Sequence, residues 1–79
     1  MAKKVIARAI TSFDVALGKK IAEIRKGQKM TMEALGKRVG VTFQQIGKYE
    51  AGTNRLCVSR FVQICSALGV DPAIMLAEI

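Results

Sequence analysis

Apolar residues recur along this chain at spacings of three and four, the repeat that one face of an α-helix requires. No linker, internal repeat or low-complexity stretch interrupts the pattern. We therefore expect an all-α fold, a compact five-helix bundle. The expected helices cover about residues 15–26, 32–39, 43–50, 59–68 and 72 onward.

Each expected helix start has a side chain suited to capping. Asp14 is expected to cap helix one, since its carboxylate accepts backbone N–H bonds and faces the positive helix end. Thr31 and Thr42 are expected to cap helices two and three, and Gln45 lies where it completes a reciprocal capping box with Thr42. Asp71, which a proline follows, predicts the start of helix five.

Residues 31–52 are typical of two short helices folded tightly against each other. Gly36 provides a small residue on the face of helix two that meets helix three. Gly40 supplies the position where a sharp turn requires a positive φ. The apolar residues expected to seat both helices in the interior are Leu35, Val39, Val41, Ile46 and Tyr49.

The outward side of helix three is rich in amides, which suits the reading of base edges in the major groove. Gln44 is the main candidate, because its amide donor and acceptor match the edge of adenine; Gln45 is shared between capping and DNA contact. Phe43 either touches a thymine methyl or sugar or folds back over helix two. Lys48 suits a guanine edge, a phosphate or simple solvation, and Thr42 at the helix start suits a phosphate oxygen.

The positive charge of the chain is one-sided. The formal net charge is +7; residues 1–52 contain 11 basic and 4 acidic side chains, whereas residues 53–79 contain two of each. Such a field favours a polyanion, although a merely solvated basic surface is the alternative. We expect a basic N-terminal arm over residues 1–13, carrying Lys3, Lys4 and Arg8, and one domain over residues 14–79.

Other function classes find little support in the composition. The chain has no histidine, and Cys57 and Cys65 are not a close pair, so neither a metal site nor a cofactor is expected. No apolar run approaches the roughly 18 residues of a membrane span, and the N-terminus is a poor signal peptide. We expect no enzyme activity, and reduced thiols fit a cytoplasmic protein of a bacterium or phage.

The segment Gly40 to Arg60 resembles the helix-turn-helix of the Cro/repressor-like (XRE) family, which includes the lambdoid phage repressors. The matching run over residues 44–55 reads Gln-Gln-Ile-Gly-Lys-Tyr-Glu-Ala-Gly-Thr-Asn-Arg, in register with Gly36 and Gly40. The resemblance implies a lambda-repressor-like fold whose helices two and three form the helix-turn-helix, with double-stranded DNA as partner.

The resemblance also implies roles for residues outside helix three. Asn54 and Arg55, in the loop that follows, are expected at the phosphate strand, where a loop-stabilising Asn54 is the alternative. An ion pair between Arg25 and Glu50 is expected to fix the angle of helix three. Independently of the resemblance, the basic residues of helix two are further phosphate candidates, namely Lys37 and Arg38.

These patterns together favour a sequence-specific DNA-binding transcription regulator, expected to be a repressor. It would read the major groove of a roughly palindromic operator as a homodimer. The alternative is an antitoxin-type protein-interaction module that binds DNA for autoregulation. Its protein partner would dock on the apolar helix five or on the N-terminal arm.

Overall fold

The computed structural model describes residues 10–79, which contain five α-helices and no strand. The prediction of an all-α five-helix fold is confirmed for this range. The arm cations Lys3, Lys4 and Arg8 lie outside the described residues. The helices are α1 (Ser12–Gly27), α2 (Met32–Val39), α3 (Phe43–Ala51), α4 (Val58–Leu68) and α5 (Pro72–Ala77). None of these helices combines the length and hydrophobicity that crossing a bilayer demands.

The start of α1 differs from the prediction. Asp14 is not the N-cap; the cap is Thr11, whose hydroxyl accepts a hydrogen bond from the Asp14 backbone N–H at 3.3 Å. The Asp14 carboxylate in turn accepts from the Thr11 backbone N–H at 2.8 Å, which completes a capping box. The helix therefore begins at Ser12, three residues earlier than expected and inside the segment assigned to the arm.

The other predicted caps are confirmed. Thr31 accepts from the backbone N–H of Ala34, and Asp71 caps α5 through the N–H groups of Ala73 and Ile74. Thr42 caps α3 by accepting from the Gln45 N–H at 3.2 Å. This is one of the two hydrogen bonds of the predicted capping box. Within residues 10–79, the second bond, from the Thr42 backbone N–H to the Gln45 side chain, is not formed.

The turn between α2 and α3 is formed at Gly40 and packs against Gly36, which lies within α2. Gly40 has φ 79°, a left-handed conformation that glycine adopts without steric cost. The backbone N–H groups of Gly40 and Val41 both donate to the Gly36 carbonyl, at 2.8 and 3.0 Å. A Cβ at position 36 would lie 2.5 Å from the Val41 carbonyl oxygen, so the turn itself fills the space that a side chain needs.

The core lies where α3 packs on α1 and α2, and where α2 packs on α4. Ile46 is the α3 residue that is fully enclosed in it, whereas Val41 and Tyr49 are only half-buried at its edge. The buried apolar residues are Leu17, Ile21, Leu35, Val39, Ile46, Phe61, Ile64, Cys65, Leu68 and Met75.

The close approach of α1 and α3 occurs at Gly18, a buried residue near the middle of α1. A Cβ there would lie 2.6 Å from the Glu50 carbonyl oxygen and closer still to that of Tyr49. Because real Cβ atoms do not come this close to backbone oxygens, only glycine fits this crossing. The backbones of the two helices are therefore in direct contact, which sets how deeply α3 sits in the fold.

Candidate nucleic-acid interface

One side of α3 faces the core and the opposite side faces outward. Ile46 is 1% exposed and holds the inner side. Gln44 and Lys48, which lie one helical turn apart, are exposed, and Gln45 is partly buried at the edge. The structure thus places amides and a lysine together on the outer side of a helix that is fixed by its inner side.

Phe43 lies at the first position of α3 and is 45% exposed. It lines an open notch between the start of α2 and the start of α3, whose other lining residues are Thr31, Glu33, Ala34, Lys37, Val41, Thr42 and Gln44. The ring therefore lies beside α2 without entering the core. An aromatic edge in this position is available both to cover α2 and to touch an apolar group on a ligand.

Arg25 and Glu50 are ion paired, which ties the end of α1 to the end of α3. Arg25 Nε and Nη2 donate to the two carboxylate oxygens of Glu50, at 2.6 and 3.0 Å. Arg25 Nη1 donates to the Met30 carbonyl at 2.7 Å, so the same guanidinium also holds the connection to α2. Both side chains are nearly enclosed, at 8% and 10% exposed. This bidentate, buried arrangement fixes the direction of α3.

The loop after α3 is anchored to the last turn of that helix. The backbone N–H groups of Thr53 and Asn54 donate to the Lys48 carbonyl, at 3.1 and 3.4 Å, and the Thr53 hydroxyl donates to it at 3.2 Å. Asn54 and Arg55 are exposed beyond this anchor. Arg55 Nε donates to Asp14 Oδ1 at 3.2 Å, which links the loop to α1.

The basic side chains near α3 are of two kinds: exposed lysines, and arginines that donate to a backbone carbonyl of another helix. Lys37 and Lys48 are exposed. Arg38, a predicted phosphate contact, is also exposed, but its Nη1 donates to the Ala67 carbonyl at the end of α4, at 3.1 Å. Arg60 Nη1 donates to the Val39 carbonyl at 2.7 Å, so each of α2 and α4 contributes an arginine that binds a carbonyl of the other.

The sequence pattern of the family described as Helix-turn-helix matches residues 21–75, more than half of the chain. The chain belongs to this helix-turn-helix (XRE) family. The matched range includes α2, the turn at Gly40 and α3, together with both partners of the Arg25–Glu50 pair. The family resemblance seen in the sequence is therefore confirmed.

Curated relatives agree with this assignment, and a solved structure agrees with the fold. The HTH-type transcriptional regulator y4aM of Sinorhizobium fredii is 44% identical over 71 residues, which cover 90% of this chain and 48% of that protein. The chain spans about half the length of the curated relatives it matches. The clp gene regulator ClgR from C. glutamicum has a TM-score of 0.81 at 24% identity, over 86% of this chain and 88% of that one.

A further solved structure contains DNA. The P22 c2 repressor, in complex with a synthetic operator, has a TM-score of 0.69 at 29% identity. The similarity covers 75% of this chain and 89% of that chain. The fold of this helix-turn-helix protein is thus similar to one that has been seen on an operator.

The sequence gives no indication of two long-range contacts, one made by Gly18 and one made by Asp14. Gly18 has no local signal, because its role depends on the carbonyls of Tyr49 and Glu50, more than 30 residues later in the chain. Asp14 was expected only to cap, yet its carboxylate also binds Arg55, 41 residues away. The short spacing of Thr11 and Asp14, the sequence of a capping box, was the signal that would have placed the helix start correctly.

Proposed function

We propose that this protein is a sequence-specific DNA-binding transcription regulator of the helix-turn-helix type, and a binding protein rather than an enzyme. The outer side of α3 carries the proposal, because it presents Gln44 and Lys48 on a helix held by Ile46 and Glu50. A firmly held helix of this kind is what reading the major groove requires. The resemblance to a repressor solved on an operator supports the same conclusion.

In this proposal, one set of residues contacts the DNA bases and another contacts the DNA phosphates. Gln44, Gln45, Lys48 and Phe43 read base edges and the thymine methyl. Thr42 at the start of α3, the loop residues Asn54 and Arg55, and Lys37 contact phosphates, which position the protein and make binding weaker at high salt. Arg38 contributes to the scaffold through Ala67 and adds charge at long range.

Gln44→Ala is expected to weaken binding to a selected operator by about tenfold or more while leaving binding to a scrambled duplex nearly unchanged. The physical reason is that the amide discriminates one base from another, which is worth about 1–3 kcal/mol per good bidentate contact. Titration of both duplexes at two salt concentrations measures the effect. The matched control is Gln63→Ala, an exposed glutamine of α4. Equal losses on both duplexes would remove Gln44 from base reading.

We further propose that the protein acts as a homodimer on a roughly palindromic site, and as a repressor. The electrically neutral part, residues 53–79, carries several exposed apolar side chains. They are Val58 at 78%, Ile74 at 60%, Val62 at 46%, Leu76 at 43% and Ile79 at 38% exposed. Two copies that meet through this part would keep their basic parts apart, with two α3 helices about 34 Å apart on successive major-groove segments.

The double variant Val58→Asp/Ile74→Asp is expected to be monomeric and to lose cooperative binding to the full operator, because buried like charges would oppose association. Sedimentation at micromolar protein, with and without operator, measures this. Phe13→Asp, which changes an exposed apolar residue of α1, is the control that should still dimerise. A wild-type protein that binds as a single copy would refute the dimer. Stable capture of a different protein by this surface would favour the antitoxin alternative.

A further inference from the structure

Asp14 is the acidic residue of α1 that lies closest to the proposed phosphate-contacting loop. Its side chain is 9% exposed, and its carboxylate accepts three hydrogen bonds from two directions. Oδ2 accepts from the Thr11 N–H at 2.8 Å and the Thr11 hydroxyl at 2.9 Å, whereas Oδ1 accepts from Arg55 Nε at 3.2 Å. The Thr11 backbone N–H, as the largest influence, holds the pKa of Asp14 below its ordinary value, so the carboxylate is ionised at neutral pH.

The loop that carries Arg55 is held at two points. Its start is bound to the last turn of α3 through the Lys48 carbonyl. Gly52 lies so close to α1 that a Cβ there would be 2.7 Å from the Cα of Val15. The Asp14–Arg55 pair lies next to this backbone contact, so it fixes the direction of the Arg55 side chain on a loop that is already docked against α1.

We propose that Asp14 is a positioning residue for DNA binding, which holds Arg55 and the 52–55 loop in the arrangement that meets a phosphate. This inference rests on the proposed DNA-binding function. The Arg55 side chain is partly exposed, at 42%. A long side chain whose direction is already fixed by an ion pair loses less conformational freedom when it binds, which strengthens the contact it then makes.

A positioning role for Asp14 predicts a change in DNA affinity opposite to the change that the loss of its negative charge alone would cause. A carboxylate within a Debye length of the phosphates repels DNA, so its removal would strengthen binding if charge alone mattered. If Asp14 positions Arg55, its removal weakens binding instead. The direction of the change therefore decides between the two explanations.

Asp14→Asn is expected to weaken binding to the operator and to a scrambled duplex alike, by about tenfold at moderate salt. The slope of log affinity against log salt should become shallower by about one, as for the loss of one phosphate contact. Asparagine keeps an oxygen that can accept from Thr11, so the helix cap is preserved while the charge that binds Arg55 is lost. Titrations at several salt concentrations give both numbers.

Three controls separate positioning from other effects. Glu23→Gln removes the same charge from an exposed site on α1 and should leave affinity unchanged or slightly higher. Arg55→Ala should cost as much as Asp14→Asn, and combining the two should cost no more than either alone. Thermal unfolding of each variant shows that the titrations are made on folded protein; a loss caused by unfolding would persist in the Arg55→Ala background and leave the salt slope unchanged.

The results of these titrations distinguish a failure of the proposed DNA-binding function from a failure of the positioning role of Asp14. If wild-type protein does not bind duplex DNA, the proposed function and this inference both fail. If wild type binds but Asp14→Asn binds equally or more tightly, or the losses of the two single variants add, only the positioning role is overturned. A shared, non-additive loss with a shallower salt slope supports it.

Discussion

Glu50→Ala is expected to lower the free energy of unfolding by about 3–5 kcal/mol, because it leaves the Arg25 guanidinium buried without its carboxylate. The pair is bidentate and both side chains are at most 10% exposed. A domain of this size has a total stability on the order of 5–15 kcal/mol, so the loss is a large part of it. Urea or thermal unfolding measures the change.

The double variant Arg25→Met/Glu50→Leu is the informative control. Replacing both partners by apolar residues removes the uncompensated charge, so much of the stability should return. The recovery is expected to be incomplete, because Arg25 also donates to the Met30 carbonyl, which would lose that partner. A single Glu50→Ala variant that loses less than about 1 kcal/mol would show that water reaches the pair and that it behaves as a surface ion pair.

Gly18→Ala is expected to destabilise the protein by about 1–3 kcal/mol or more, although alanine is the better helix former by about 1 kcal/mol. The added methyl would collide with the backbone carbonyls of Tyr49 and Glu50, which cannot move away as a flexible side chain can. The helices α1 and α3 must separate to admit it. Unfolding measurements give the stability, and operator affinity reports the displacement of α3.

Gly47→Ala is the matched control for that substitution. Position 47 is also inside a helix, but a Cβ there would meet only the Met32 sulfur, at an ordinary 3.6 Å. Alanine at this position is expected to raise stability by up to about 1 kcal/mol through helix propensity. If Gly18→Ala and Gly47→Ala changed stability in the same direction and by the same amount, the close crossing at Gly18 would not be a steric constraint.

The helices after residue 30 were predictable from sequence because their signals are local. Thr31, Thr42 and Asp71 each precede an apolar stripe, and Gly40 marks the turn between α2 and α3. The predicted start of α1, with Asp14 as its N-cap, was wrong because Asp14 is not the cap itself but the third helical residue, whose carboxylate completes a capping box with Thr11.

The structural features that could not be predicted from the sequence depend on tertiary contacts. Neither the helix crossing at Gly18 nor the partner of Arg38 follows from neighbouring residues, since each depends on an element distant along the chain. In the sequence, Arg38 is simply a second basic residue beside Lys37. Its hydrogen bond to the Ala67 carbonyl can be predicted only when the position of α4 is known. The outward face of α3 was predictable in composition because Ile46, the inward residue, sets the phase of the whole helix.

The paired arginine contacts between α2 and α4 have a consequence for engineering. The Val39 carbonyl, at the end of α2, accepts a hydrogen bond from Arg60, and Arg38 donates one to the Ala67 carbonyl. The helix-turn-helix formed by α2 and α3 therefore depends on hydrogen-bond partners in α4. An excised peptide of residues 31–52 would lack the Arg60 donor and the Ala67 acceptor, and would not keep its shape when transplanted into another scaffold. New target preferences are better introduced by exchanging the outward side chains of α3 within the intact chain.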